Sequence, residues 1–275
     1  MSAWRGLAFA AAIGLIGFAA YKIDRRLSAA PAPAIVTRTG DAHRAVSTAL
    51  DARIDRLLHD RAPAGSARTA ESRLVALTFD DGPYPVDTPL LLDELRDLHV
   101  RATFFVVGDH VLQFPDLAER MQRDGHEVAN HTMTHPAHFE DLSPAQVTRE
   151  LNQGAAAIER YADDPAVRTM MRPPHGRYTE QTVLAAQRAG YHVILWNDDP
   201  GDWRAVTPGT LADHICANAT SPDIILLHSG RLATVEMLPG VVERFRKAGF
   251  SFVTVGELLR RVPLNVIDHP LASAV

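Results

Sequence analysis

LVALTFDDGPYPVDTPLLLDELRDLHVRATFFVV, residues 74–107, holds two short runs rich in Val, Leu, Thr and Phe, LVALTF (74–79) and ATFFVV (102–107). Between them, from Thr88 to Leu98, apolar residues recur at helical spacing. A strand, a helix and a second strand within ~30 residues is the βαβ unit, which makes the two strands parallel. The pattern repeats outward along the chain. Further runs are HEVAN (126–130), TMMR (169–172), YHVILW (191–196), DIILLH (223–228) and FSFVTV (250–255), giving seven predicted strands. Helical patterns fall between them at Phe114 to Asp124, Pro144 to Tyr161, Thr179 to Ala189, Pro208 to Ala219 and Val235 to Ala248. Gly125, Gly190 and Gly249 follow three of these, as left-handed C-caps require. Alternation of this kind predicts an α/β domain, either a (β/α) barrel or a doubly wound parallel sheet.

Composition narrows the class. The chain has 275 residues, 46% hydrophobic and 22% charged, which excludes a disordered, collagenous or polytopic membrane protein. A formal charge of -5 with no long Lys/Arg run gives no electrostatic basis for a nucleic-acid partner. The single Cys216 cannot form an internal disulfide, and there is no CxxC pair for a structural zinc. Thirteen histidines point toward metal or acid/base chemistry. GLAFAAAIGLIGFAAY, Gly6 to Tyr21, lies behind Arg5 and reads as a signal-peptide core or membrane anchor. Residues 1–27 are therefore expected to be a signal or anchor, with export to the envelope and membrane attachment through residues 6–21. Residues 28–72 are expected to be a linker or stalk with one short amphipathic helix at Ala45 to Leu58. Residues 73–262 are expected to form the main folded domain and 263–275 a tail.

If the domain is a barrel, its chemistry lies at the C-terminal ends of the strands, and the polar groups fall there. Asp80 and Asp81 end the first run; as neighbours on a strand their side chains diverge, so one can bind a metal while the other faces substrate. His131 and His135, in HTMTHP, project from one side of a helical turn at a spacing suited to a single ion. With Asp81 they make three protein ligands and leave a position for water, the pattern of a catalytic zinc. In RPPHG (172–176) two prolines and a glycine stiffen a backbone able to present an N–H to an oxyanion, and Arg172 can pair with a catalytic carboxylate. His228, closing the sixth run, is a candidate general acid oriented by Asp202, with Trp203 and Leu226 as an apolar wall of methyl-group size.

TFDDGP (78–83), HTMTH (131–135), RPPHG (172–176), DPGDW (199–203) and LLH (226–228), in that order, resemble the five motifs of the polysaccharide deacetylases, carbohydrate esterase family 4, over about Leu74 to Leu259. The resemblance implies a distorted (β/α) barrel of about seven parallel strands, matching the strand count. It implies Asp80 as general base, held by Arg172, and Asp81, His131 and His135 as ligands of one divalent ion, usually zinc, with cobalt or nickel also found. It implies His228 as general acid tuned by Asp202, the His175 N–H in the oxyanion hole, and Pro174, His175, Trp203 and Leu226 lining the substrate site. The implied substrate is an acetylated polysaccharide or oligosaccharide such as peptidoglycan or chitin oligomers, losing N-acetyl or O-acetyl groups. One departure stands out: the family commonly has Tyr where this chain has His175. Competing readings are a two-His, one-carboxylate iron oxygenase, a non-catalytic glycan-binding module, and a deacylase of lipid-linked sugars or small amides.

Overall fold

The computed structural model describes residues 73–261. The apolar run at residues 6–21, the 28–72 segment with its Ala45 to Leu58 patch, and the 263–275 tail lie outside them. Seven parallel strands form one sheet: β1 (Arg73–Asp80), β2 (Thr103–Val106), β3 (Glu127–Asn130), β4 (Met170–Met171), β5 (His192–Val193), β6 (Asp223–His228) and β7 (Phe250–Phe252). Their order is β5-β4-β3-β2-β1-β6, with β7 on the N-terminal end of β1. Helices run between them: α1 (Asp87–Asp97), α2 (Gly108–Gln113), α3 (Pro115–Arg123), α4 (Pro144–Ile158), α5 (Ala166–Thr169), α6 (Glu180–Arg188), α7 (Pro208–Asn218), α8 (Leu232–Lys247) and α9 (Val255–Arg261). None of the described helices is long and apolar enough to cross a membrane.

The two-residue period of β1 sorts its side chains into two cores. Val75, Leu77 and Phe79 face the helices, among Leu91, Leu92 and Leu95 of α1 and Val241 and Phe245 of α8. Leu74 and Ala76 face the barrel interior, with Phe105, Ala129, Met171, Trp196, Ile224 and Leu226. β6 alternates in the same way, Ile225 and Leu227 toward the helices and Ile224 and Leu226 inward. Asp80 and His228 are register partners at the ends of these strands, and the alternation puts both on the interior face at the rim.

The barrel is distorted where it closes. No ladder joins β5 to β6; a single bridge, Asp198 to Ile225, spans the gap. Asn197 N and Leu226 N donate to Ile224 O and Asp198 O at 2.9 Å each, and Asn197 Oδ1 accepts from Ile224 N at 3.1 Å. The predicted strand at 191–196 is thus a ladder only over His192–Val193, because the chain then leaves β4 to reach β6. Gly125, Gly190 and Gly249 take φ of 83°, 95° and 79°, the left-handed caps expected of them. Helices α2, α5 and α9 carry too few turns for a periodic signal, and the sequence reading has none of them.

Candidate active site

β1 stops at Asp80, and Asp81 adopts a left-handed φ of 71°. The expectation of two carboxylates diverging along a strand is therefore corrected: the kink turns both toward His131. Its Nε2 lies 3.3 Å from Asp81 Oδ1 and 3.8 Å from Asp80 Oδ2. His131 and His135 do not share a helical turn either. Thr132 and His135 have φ of 70° and 52°, so the segment is a sharply folded loop. A β-branched residue at positive φ costs roughly 1–3 kcal/mol and persists only where its surroundings dictate it. Here Asn130 Oδ1 accepts from Thr132 N (2.8 Å), and the Glu150 carboxylate on α4 accepts from Met133 N (3.1 Å) and Thr134 N (2.9 Å). Thr132 Oγ1 accepts from His135 N (3.1 Å).

This loop brings three donor atoms, from Asp81, His131 and His135, within 4.8 Å of one another. His135 Nε2 is buried 3.2 Å from Asp81 Oδ1 and makes no hydrogen bond among the described residues. His131 Nδ1 lies 2.8 Å from the Arg172 carbonyl, which can only accept, so in the neutral imidazole the proton sits on Nδ1 and the Nε2 lone pair faces the cluster. Ligands ~2.0–2.1 Å from a tetrahedral zinc stand about 3.3 Å apart, which the two Asp81-to-imidazole spacings match. The donor set, one carboxylate and two imidazoles, suits zinc and its neighbours. Electrostatics agree. Burial would raise the Asp81 carboxyl, but the His131 and His135 imidazoles and the charges of His131 and His228 hold it far below the usual carboxylate range. Burial likewise opposes charge on His131, and the Asp80 and Asp81 carboxylates overcome it and push its pKa up. The cluster favours a cation.

Two further pairs flank these residues. Asp80, 4% exposed, takes Arg172 Nη1 at 2.7 Å. Arg172 is fully buried; Nη1 also donates to Thr78 Oγ1 (2.8 Å), Nε to Ile194 O (3.2 Å) and Nη2 to Leu195 O (3.0 Å). Its guanidinium lies 4.1 Å from the Phe105 ring centroid and 5.4 Å from that of Trp196. On the other side, Asp202 Oδ1 pairs with His228 Nδ1 at 2.6 Å, while Oδ2 accepts from His228 N (2.8 Å) and Thr234 Oγ1 (2.7 Å). Burial disfavours a charged His228, but the hydrogen bond and charge of Asp202, with the charges of Asp80 and Asp81 behind them, raise its pKa to about 9.

The remaining sequence-predicted residues are less tightly gathered. His175 has φ 56° and an exposed side chain whose ring packs edge-on against His135, centroids 4.7 Å apart. Pro174 is buried beside it. Leu226 is 4% exposed inside the barrel, whereas Trp203 is 46% exposed with the Arg204 guanidinium 4.5 Å from its ring centroid. Sequence reasoning missed Thr78, Asn130, Glu150 and Thr234. Thr78 alone carried a signal, since it lies two residues before Asp80 and so on the same strand face.

The polysaccharide deacetylase family profile matches residues 67–194. A peptidoglycan-N-acetylglucosamine deacetylase of Bacillus cereus is 37% identical over 193 residues, covering 68% of this chain and 89% of that protein. A chitooligosaccharide deacetylase of a Bradyrhizobium species is 43% identical over 204 residues, covering 68% and 91%. The solved structure of the peptidoglycan deacetylase PdaC from Bacillus subtilis superposes with a TM-score of 0.63 at 32% identity, over 69% of this chain and 91% of that one.

Proposed function

Because the chain belongs to the polysaccharide deacetylase family, we propose that it is a divalent-metal-dependent hydrolase that removes N-acetyl groups from an envelope or extracellular glycan, peptidoglycan or chitin oligomers. The observation that carries this reading is the arrangement at one rim: a cation-favouring Asp81–His131–His135 cluster between a carboxylate paired to arginine and a histidine paired to aspartate. Asp81, His131 and His135 hold the ion, zinc by donor set, with cobalt or nickel as substitutes. Such an ion, when bound, supplies Lewis acidity, polarising the acetyl carbonyl and bringing the pKa of water from 15.7 toward ~7.

The protein's own groups do the rest. Asp80, fixed by Arg172, takes the proton of the attacking water. The His175 N–H, on a backbone stiffened by Pro173 and Pro174, donates to the oxyanion. His228, kept protonated at neutral pH by Asp202, gives its proton to the departing amine. Leu226 and Trp203, with Pro174, supply apolar walls for the acetyl group and sugar. Products are acetate and a free amino sugar. Export to the envelope belongs to the same proposal, supported by the apolar run Gly6 to Tyr21 and by the peptidoglycan named for the Bacillus cereus relative. So does the assignment of residues 73–262 as the catalytic domain.

The test is a division of roles. Asp80→Asn is expected to bind one metal ion per chain with turnover reduced ~10²–10⁴-fold, the span of a lost general base, while His131→Ala loses metal and turnover together. Equal metal loss in the two variants contradicts the assignment.

A further inference from the structure

The segment Val107–His110 touches both loops that carry the clustered donors. Val107 N donates to Gly82 O at 3.0 Å, on the Asp81 side. Gly108 N donates to Thr132 O at 3.0 Å and Asp109 N to Met133 O at 2.9 Å, on the His131–His135 side. The approach is close enough that a side chain at Gly108 would require its neighbours to shift: an added Cβ would stand 2.7 Å from Met133 Sδ and 3.1 Å from Gly154 Cα. The segment is therefore a backbone clamp between the two loops. One side chain in it reaches further. His110, half-buried on α2, places Nδ1 2.6 Å from the backbone carbonyl of Asp81. A carbonyl can only accept, so the imidazole N–H is the donor.

We propose that His110 is a positioning residue for metal binding, its Nδ1–H pinning the left-handed Asp81 peptide so that the carboxylate meets His131 and His135; this rests on the metal reading above. Asp81 needs such a restraint. Its φ of 71° is a conformation that Asp tolerates but does not prefer, and the His110 hydrogen bond to its carbonyl opposes relaxation toward β space. Rotation there carries the carboxylate away from the 3.2 and 3.3 Å spacings to the two imidazoles. The ring is itself braced, since the Tyr84 ring packs against it with centroids 5.2 Å apart. Partners of this kind, one step behind the ligands, typically change metal affinity 10–100-fold when removed.

The experiment measures the zinc Kd of the full chain by competition with a chromophoric chelator, and the visible absorption spectrum of its Co²⁺ form, for wild type and three variants. His110→Phe keeps a ring against Tyr84 but has no donor. His110→Asn puts an amide N–H near the place of Nδ1, and His110→Gln puts it near the place of Nε2. The expected result is a His110→Phe Kd weaker by ~10–100-fold with an altered Co²⁺ spectrum, and His110→Asn restored to near wild type while His110→Gln is not. If His110→Phe does not fold, the contrast between Asn and Gln carries the same information. Wild-type Kd and spectrum in His110→Phe, or Asn no better than Gln, overturns the role of His110 while leaving the metal reading standing. A wild-type chain that binds no zinc overturns both.

Discussion

Asp202 shows how a single carboxylate sets the chemistry of its neighbour. Both of its oxygens are spent on the His228 ring, the His228 backbone and Thr234, so it cannot turn away. The consequence is a histidine whose pKa stands at about 9 against an ordinary 6.5. As an acid, His228 is then protonated through the neutral range, and kcat is expected to fall as pH rises through about 9. In Asp202→Asn the principal favourable interaction is gone while burial remains, so the alkaline limb is expected to move more than one pH unit lower; a pH–rate profile of the two proteins checks this. An unmoved limb would detach His228 from the acid role. The sign for stability is the same. A pKa raised on folding contributes stability fully below 6.5 and loses it as pH climbs through about 9.

Among the elements, β1 and β6 do most to build the site. Both were legible as the apolar runs LVALTF and DIILLH, and the barrel rule put Asp80 and His228 at one rim, whereas the face they share with Leu226 emerges from the alternation and register of the folded strands. The strands around Met170–Met171 and His192–Val193 were legible as runs, but their ladders shrink to two residues because the chain must cross to β6 at Asn197 and Asp198. The HTMTH loop was legible as a pair of histidines and misread as a helical turn. Its shape depends on Asn130 and Glu150, and a long-range acceptor for Met133 and Thr134 leaves no trace in local spacing. Arg172 was legible as the partner of a carboxylate, whereas its anchoring to Thr78 and two carbonyls at the end of β5 is a product of the fold. Removing it leaves the Asp80 carboxylate buried without its arginine, so Arg172→Met is expected to cost roughly 3–5 kcal/mol. Urea denaturation measures this; a loss below 1 kcal/mol would mean that the pair is dispensable to the fold.

At the scale of the molecule, the barrel concentrates titratable groups at one rim, and an ion held there as proposed would belong only to the folded chain. The cluster draws on the turn after β1 and on the loop after β3, with the His131 ring oriented by the Arg172 carbonyl just past β4. A ligand that binds only the native state stabilises it by about 2.7 kcal/mol at 100 times its Kd. Zinc is therefore expected to raise Tm and a strong chelator to lower it, while His131→Ala responds to neither; calorimetry with and without zinc checks this.

In the proposed reaction this rim hydrolyses acetyl groups on glycans with a bound metal. Acetate release from chitin oligomers and from peptidoglycan by the zinc-loaded protein tests it most directly, with a chelated sample and Asp80→Asn alongside. The expected result is release that disappears on chelation, returns with zinc and is absent from Asp80→Asn. Release that persists undiminished after the metal is removed, or none from either glycan despite one tightly bound ion, would contradict it.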